Sequence, residues 1–190
     1  MYKLICVSNR TLCNDLTERI KKIASCGIPV ILREKDLCED EYFSLLKQVG
    51  TENIIAHTYA DAAMAAGIKK IHLPLHLLER TDVSGFERVG SSVHSLEQAL
   101  RAYECGADYL TAGHIFATDC KKGLPPRGTG LIREICAAVP LPVYAIGGIS
   151  PDNANTAIDA GAAGVCVMSG FMKCADIKKY ISLYAGACSE

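Results

Sequence analysis

Residues 142–170 contain Pro142-Val143-Tyr144-Ala145-Ile146-Gly147-Gly148-Ile149-Ser150-Pro151, then a helical stretch to Ala160-Gly161, then Gly164-Val165-Cys166-Val167-Met168-Ser169-Gly170. Two short apolar runs, Pro142–Ile146 and Gly164–Met168, flank the amphipathic segment Pro151–Ala160. Ser150 before Pro151 is the order of an N-cap followed by proline at the first helical position, and Gly161 is a helix-ending glycine. The two runs are apolar throughout rather than alternating, as expected of parallel strands covered on both faces. The stretch is therefore one strand–helix–strand unit of a sheet wrapped by helices.

The same unit recurs on both sides of it. Strands are expected at Tyr2–Val7, Pro29–Arg33, Asn53–Ala56, Lys70–Leu73, Arg88–Ser92 and Ala107–Ala112, which with the first two make eight. Helical spacing is expected over Asn14–Ser25, Asp40–Val49, Ser95–Cys105 and Thr129–Val139, with Ser95 as an N-cap and Gly106 as a C-terminal glycine. The segment between Leu73 and Arg88 is weakly patterned, and its helix reduces to a short turn. Eight alternations predict an α/β fold, a single (β/α)8 TIM barrel over residues 1–190, although the length lies just below the usual lower bound of roughly 200. An open doubly wound sheet is the competitor, but Ser8-Asn9-Arg10-Thr11 after the first strand lacks the glycines of a dinucleotide fingerprint. No linker or composition shift marks a domain boundary.

Composition narrows the function. With 49% hydrophobic and 22% charged residues the chain is not disordered. Twenty basic against 21 acidic residues give a net charge of −1, so no global field recruits nucleic acid or an anionic membrane. No apolar run approaches the roughly 20 residues of a membrane helix. Ten cysteines are present, but no Cys-x-x-Cys occurs and Met1–Val7 lacks a secretory signal. Reduced thiols and a cytoplasmic location are the expectation.

In a barrel the chemistry gathers where strands end. Gly147-Gly148 and Ser169-Gly170 follow the last two strands, the usual phosphate site of this fold, where backbone N–H groups approach an anion; tight turns are the alternative. His114 ends the sixth strand and suits acid–base work near neutral pH, or serves as a structural histidine of the rim. The loop beyond it, Ala117–Thr129, carries Lys121, Lys122 and Arg127 and fits a cover that supplies cations. Arg33-Glu34-Lys35 either binds an anion or pairs internally. His72-x-x-x-His76 has ligand spacing, but Pro74 between them breaks a common helical face, so no metal site is expected.

Arg33-Glu34-Lys35, Ser92-Val93-His94-Ser95-Leu96-Glu97, Gly106-Ala107-Asp108-Tyr109, Ala145-Ile146-Gly147-Gly148-Ile149 and Val167-Met168-Ser169-Gly170 carry a resemblance, as does Gly113-His114-Ile115-Phe116-Ala117-Thr118-Asp119-Cys120-Lys121-Lys122-Gly123-Leu124. They resemble the thiamine phosphate synthase/TenI superfamily, whose fold is a (β/α)8 barrel. The synthase pattern has an Asn-Asp pair after the third strand and Gly-Gln-x-Asp after the fourth, with Mg²⁺ held by aspartate. This chain has His57-Thr58 and Pro74-Leu75-His76-Leu77 there. Its Thr-Thr-Thr-Lys pyrophosphate loop is Thr118-Asp119-Cys120-Lys121 here.

The stretch Gly113–Leu124 is more similar to the TenI branch, a thiazole tautomerase, than to the synthase, and those departures point the same way. This isomerase would aromatise a carboxythiazole phosphate by proton transfer through His114, with no metal or organic cofactor. The resemblance further implies phosphate on Gly147, Gly148, Ser169 and Gly170. Arg33, Lys35, His72, Thr118 and Lys121 would face a small phosphorylated thiazole carboxylate, in a homodimer. Two other readings accompany it: a transferase joining aminopyrimidine pyrophosphate to thiazole phosphate, and a non-catalytic regulatory or binding protein.

Overall fold

The computed structural model describes residues 3–121 and 123–188. Its eight strands are β1 (Leu4–Val7), β2 (Val30–Leu32), β3 (Ile54–His57), β4 (Lys70–Pro74), β5 (Arg88–Val93), β6 (Tyr109–Gly113), β7 (Val143–Ile146) and β8 (Gly164–Val167). All pair in parallel with their sequence neighbours, and β8 returns to β1 through Leu4↔Val165 and Cys6↔Val167, closing the barrel. Every expected strand is present; Tyr2 and Lys122 lie outside the described residues. Strand starts are later than expected where the backbone is engaged elsewhere. The Ala107 N–H donates to the Ala102 carbonyl of the preceding helix at 3.0 Å, so β6 begins at Tyr109 rather than Ala107.

Around the barrel run α1 (Leu16–Ser25), α2 (Glu39–Val49), α3 (Ala60–Ala65), α4 (Leu75–Leu78), α5 (Leu96–Glu104), α6 (Gly130–Ala138), α7 (Ala154–Asp159), α8 (Ser169–Lys173), α9 (Ile177–Ser182) and α10 (Ala185–Cys188). Helices α1 and α5 start where Asp15 and Ser95 accept the N–H groups of Glu18 and Gln98. The expected start of α7 at Pro151 is corrected: the helix begins at Ala154. Asn153 turns its side chain back, accepting the Ser150 N–H at 2.9 Å and donating to the Gly148 carbonyl at 2.8 Å. Ser150-Pro151 therefore opens a turn that belongs to the loop after β7.

Alternation along the strands sorts the apolar residues into two regions. Ile5, Val7, Ile31, Ile55, Tyr109, Tyr144 and Cys166 fill the barrel. Leu4, Cys6, Val30, Leu32, Ile54 and Ala56 face the helices. Burying each isoleucine contributes about 1.5–3 kcal/mol relative to exposure. Gly90 admits the Tyr109 ring, whose Cζ lies 2.1 Å from where a Cβ would stand. Among the described residues no helix is long and apolar enough to cross a membrane.

Candidate active site at the barrel mouth

Above the apolar filling the barrel interior turns polar. His57 ends β3 and His72 lies beside it on β4, their rings stacked with centroids 6.0 Å apart. One ring nitrogen of His72, Nδ1, meets the Tyr109 hydroxyl at 3.1 Å. The other, Nε2, meets Ser92 Oγ at 2.8 Å and Thr111 Oγ1 at 3.3 Å. Burial, reinforced by the Arg33 charge, pushes His72 down to about 3. Burial, then the neighbouring His72 and Arg33, hold His57 well below the usual histidine range. Both rings are neutral at physiological pH. His57 is further fixed by Thr58, whose hydroxyl meets its Nδ1 at 2.6 Å, and by Tyr42, which accepts its backbone N–H at 2.8 Å.

Arg33, Glu34 and Lys35 follow β2, and the structure separates their roles. Glu34 is buried and hydrogen-bonds to neither of its basic neighbours' side chains but to Ser8 and Arg10. Its Oε1 accepts from the Ser8 hydroxyl and its Oε2 from the Arg10 N–H at 2.8 Å. Ser8 in turn accepts the Arg33 N–H at 2.8 Å, so one carboxylate ties the loops after β1 and β2 together. Burial raises the Glu34 carboxyl, partly offset by these two donors. Arg33 continues the inward alternation from Ile31 and is half-buried, which lowers it. Lys35 is held down by the charge of Arg33, then by burial and by Lys121. Lys121 belongs to the loop after β6, on the opposite wall of the barrel, so that loop reaches across the mouth towards β2. Among the described residues neither Arg33 nor Lys35 forms an ion pair.

That loop is anchored at the strand it leaves. The Arg127 N–H donates to the His114 carbonyl at 3.0 Å and the Gly128 N–H to the Ile115 carbonyl at 3.1 Å. A single helical turn, Asp119–Lys121, lies on it, with the Cys120 N–H directed at Thr118 Oγ1 at 3.4 Å. His114 is half-buried, its Nε2 3.3 Å from the Leu124 carbonyl. The Gly113 carbonyl is met by His94 Nδ1 at 2.6 Å, so His94 braces the end of β6 as well as preceding α5.

The paired glycines have a packing reason. A Cβ on Gly147 would stand 2.3 Å from the His114 Cβ, and one on Gly148 would stand 2.4 Å from the Ala117 carbonyl oxygen. Both have positive φ, +92° and +68°. Their bare backbones let the loop after β6 lie directly on the loop after β7. Gly170 is bare for another reason, since a Cβ there would fall 1.8 Å from the Tyr180 hydroxyl. Ser169 opens α8 beside it.

His114, Gly147 and Gly148 are thus brought together, as are Arg33, Lys35 and Lys121, with His72 beneath them. Ser8, Tyr109 and Thr111 were missed as site-builders. Alternation counted inward from Gly113 would have pointed to Thr111 and Tyr109. The Mg²⁺ implied by the synthase resemblance does not fit this donor set. Hard divalent ions take carboxylate and carbonyl oxygens, whereas β3 ends in His57 with Thr58 after it, and the one buried carboxylate among the described residues, Glu34, is committed to Ser8 and Arg10. Among the described residues no three His, Cys, Asp or Glu side chains could hold a metal together.

Residues 4–171 match the family described as thiamine monophosphate synthase. The thiamine-phosphate synthase of Coprothermobacter proteolyticus is 34% identical, covering 92% of this chain and 89% of that protein. That of Pyrococcus abyssi is 31% identical over 93% and 90%. The structure of the Pyrococcus furiosus thiamine phosphate pyrophosphorylase superposes with a TM-score of 0.79 at 28% identity, covering 98% and 97%. These relatives are named as synthases, which are transferases, and they overturn the expectation of a tautomerase and of an isomerase. Despite the departures at His57-Thr58 and Pro74–Leu77, the chain's similarity over nine-tenths of the sequence lies with synthases. The chain belongs to the thiamine monophosphate synthase family.

Proposed function

We propose that the chain is a transferase of the thiamine phosphate synthase type. The observation that carries this reading is the 34% identity to a thiamine-phosphate synthase over 92% of the chain. In the proposed reaction the ring nitrogen of a thiazole phosphate bonds to the methylene carbon of an aminopyrimidine pyrophosphate. The C–O bond to pyrophosphate breaks, and its electron pair leaves with the pyrophosphate. The charge that develops on the leaving group calls for fixed positive groups. Arg33, Lys35 and Lys121 take that role, and Thr118 completes the loop side. The thiazole phosphate rests on the backbone of Gly147, Gly148, Ser169 and Gly170, where His114 closes the pocket. His72, kept neutral by burial with a partner on each ring nitrogen, forms a floor that excludes water. We place the reaction in the cytoplasm, because the nine cysteines whose side chains are described are all free thiols.

The test combines the full chain with both substrates and follows pyrophosphate release alongside product mass. One pyrophosphate per joined product is expected. No joined product, with or without added Mg²⁺, would sink the reading.

A further inference from the structure

We infer that the barrel mouth holds a pyrophosphate group through cationic side chains alone, with no divalent metal ion between anion and protein. The identity of the ligand rests on the transferase reading above; the chemistry rests on the donors at the mouth. A hard divalent cation needs several oxygen ligands, usually including carboxylates. The mouth offers two neutral imidazoles and the hydroxyls of Thr58, Ser92 and Thr111. Glu34 has both oxygens committed, and Asp119 on the loop stands outside any group of three side chains able to share a metal. Three positive groups converge instead.

Arg33 follows β2 and continues its inward alternation, with a planar fork suited to two phosphate oxygens at once. Lys35 lies two residues further along the same loop. Lys121 arrives on the loop anchored through Arg127 and Gly128. Arg10, a fourth cation nearby, is already paired with Asp36 at 2.8 Å. Bringing a metal ion into this field would set it against three like charges, while an anion needs no intermediary.

The experiment is calorimetric titration of the full chain with inorganic pyrophosphate, first in EDTA and then in excess Mg²⁺. Binding in EDTA is expected, within about twofold of that in Mg²⁺, and about tenfold weaker in Lys35→Ala or Lys121→Ala, the loss of one charge-assisted contact. Both lysines are exposed, so these substitutions spare the core. Arg33→Lys, which keeps the charge and loses the fork, is expected to weaken binding several-fold. Heat of binding seen only with Mg²⁺, or lysine variants that bind like the wild type, would overturn the inference. Turnover is scored separately. Metal-free pyrophosphate binding without joined product would remove the transferase and leave the anion site. Product and pyrophosphate binding that both require Mg²⁺ would do the reverse.

Discussion

His72 is almost entirely buried, yet both its ring nitrogens have partners, so the fold accommodates its neutral form. That has a consequence for stability. Folded, the ring titrates at about 3, and unfolded at about 6.5. Below about pH 6.5 the unfolded chain therefore binds a proton that the folded chain refuses. The contribution is complete above that pH and is lost as pH falls towards 3, with a slope of about 1.4 kcal/mol per unit. His57 acts in the same direction. Glu34, raised by burial, acts in the opposite one, its contribution present at low pH and lost as pH rises. Urea unfolding between pH 4 and 7 should thus show stability rising with pH. The rise should be shallower by about one proton in His72→Gln, where the Glu34 contribution cancels in the comparison. An identical slope would contradict the buried neutral ring. Gly147 invites a second test. Gly147→Ala combines positive φ with a Cβ 2.3 Å from that of His114; a loss of about 2–4 kcal/mol is expected. Gly123→Ala, at φ +81° with nothing within 4 Å, should cost only the backbone share of about 1–2 kcal/mol. Equal losses would show that the contact with His114 carries no weight.

The loop after β6 joins three parts of the site: His114 at its root, Gly147-Gly148 beneath it, and Lys121 at its far reach. Its return is stiffened by Pro125-Pro126 just before the anchors at Arg127 and Gly128. Replacing both prolines with glycine enlarges the unfolded ensemble and frees the loop. Stability should fall by about 1 kcal/mol per residue at most. Pyrophosphate affinity should fall several-fold, with faster tryptic cleavage at Lys121. Unchanged affinity would mean that the loop does not present its lysine to the anion. Much of this architecture was legible beforehand. Eight apolar runs located the strands, and Ser95 and Gly106 bracketed α5, because local chemistry decides caps and helix ends. The polar floor was legible only in part: Ser92 stood at an expected strand end, whereas reading the run before Gly113 as apolar throughout hid that Tyr109 and Thr111 turn inward. Gly147 and Gly148 were located correctly as strand-end glycines. Their contact with His114 and Ala117 joins separate loops, which no local pattern reports. The tautomerase reading gave a few altered positions more weight than the resemblance of the whole chain.

At the scale of the molecule, every strand but one pairs with the next in sequence, and closure depends on β1 meeting β8. Residues at opposite ends of the chain make that seam, so no local segment gains it alone. Gly164 opens β8 where a Cβ would stand 2.5 Å from the Lys3 carbonyl oxygen. The neighbouring Val165 N–H donates to that same carbonyl at 2.9 Å. Gly164→Ala therefore strikes the seam and not merely a strand end. The barrel interior supplies a probe, because Tyr109 and Tyr144 meet edge to face with ring centroids 5.6 Å apart and the chain has no tryptophan. A loss of about 1–3 kcal/mol is expected, the usual consequence of overpacking. If closure is shared by the whole barrel, near-ultraviolet tyrosine dichroism and far-ultraviolet helix dichroism will shift together to the same lower midpoint. Tyrosine signal lost at a lower denaturant concentration than helix signal would instead show that the seam opens without unfolding the rest.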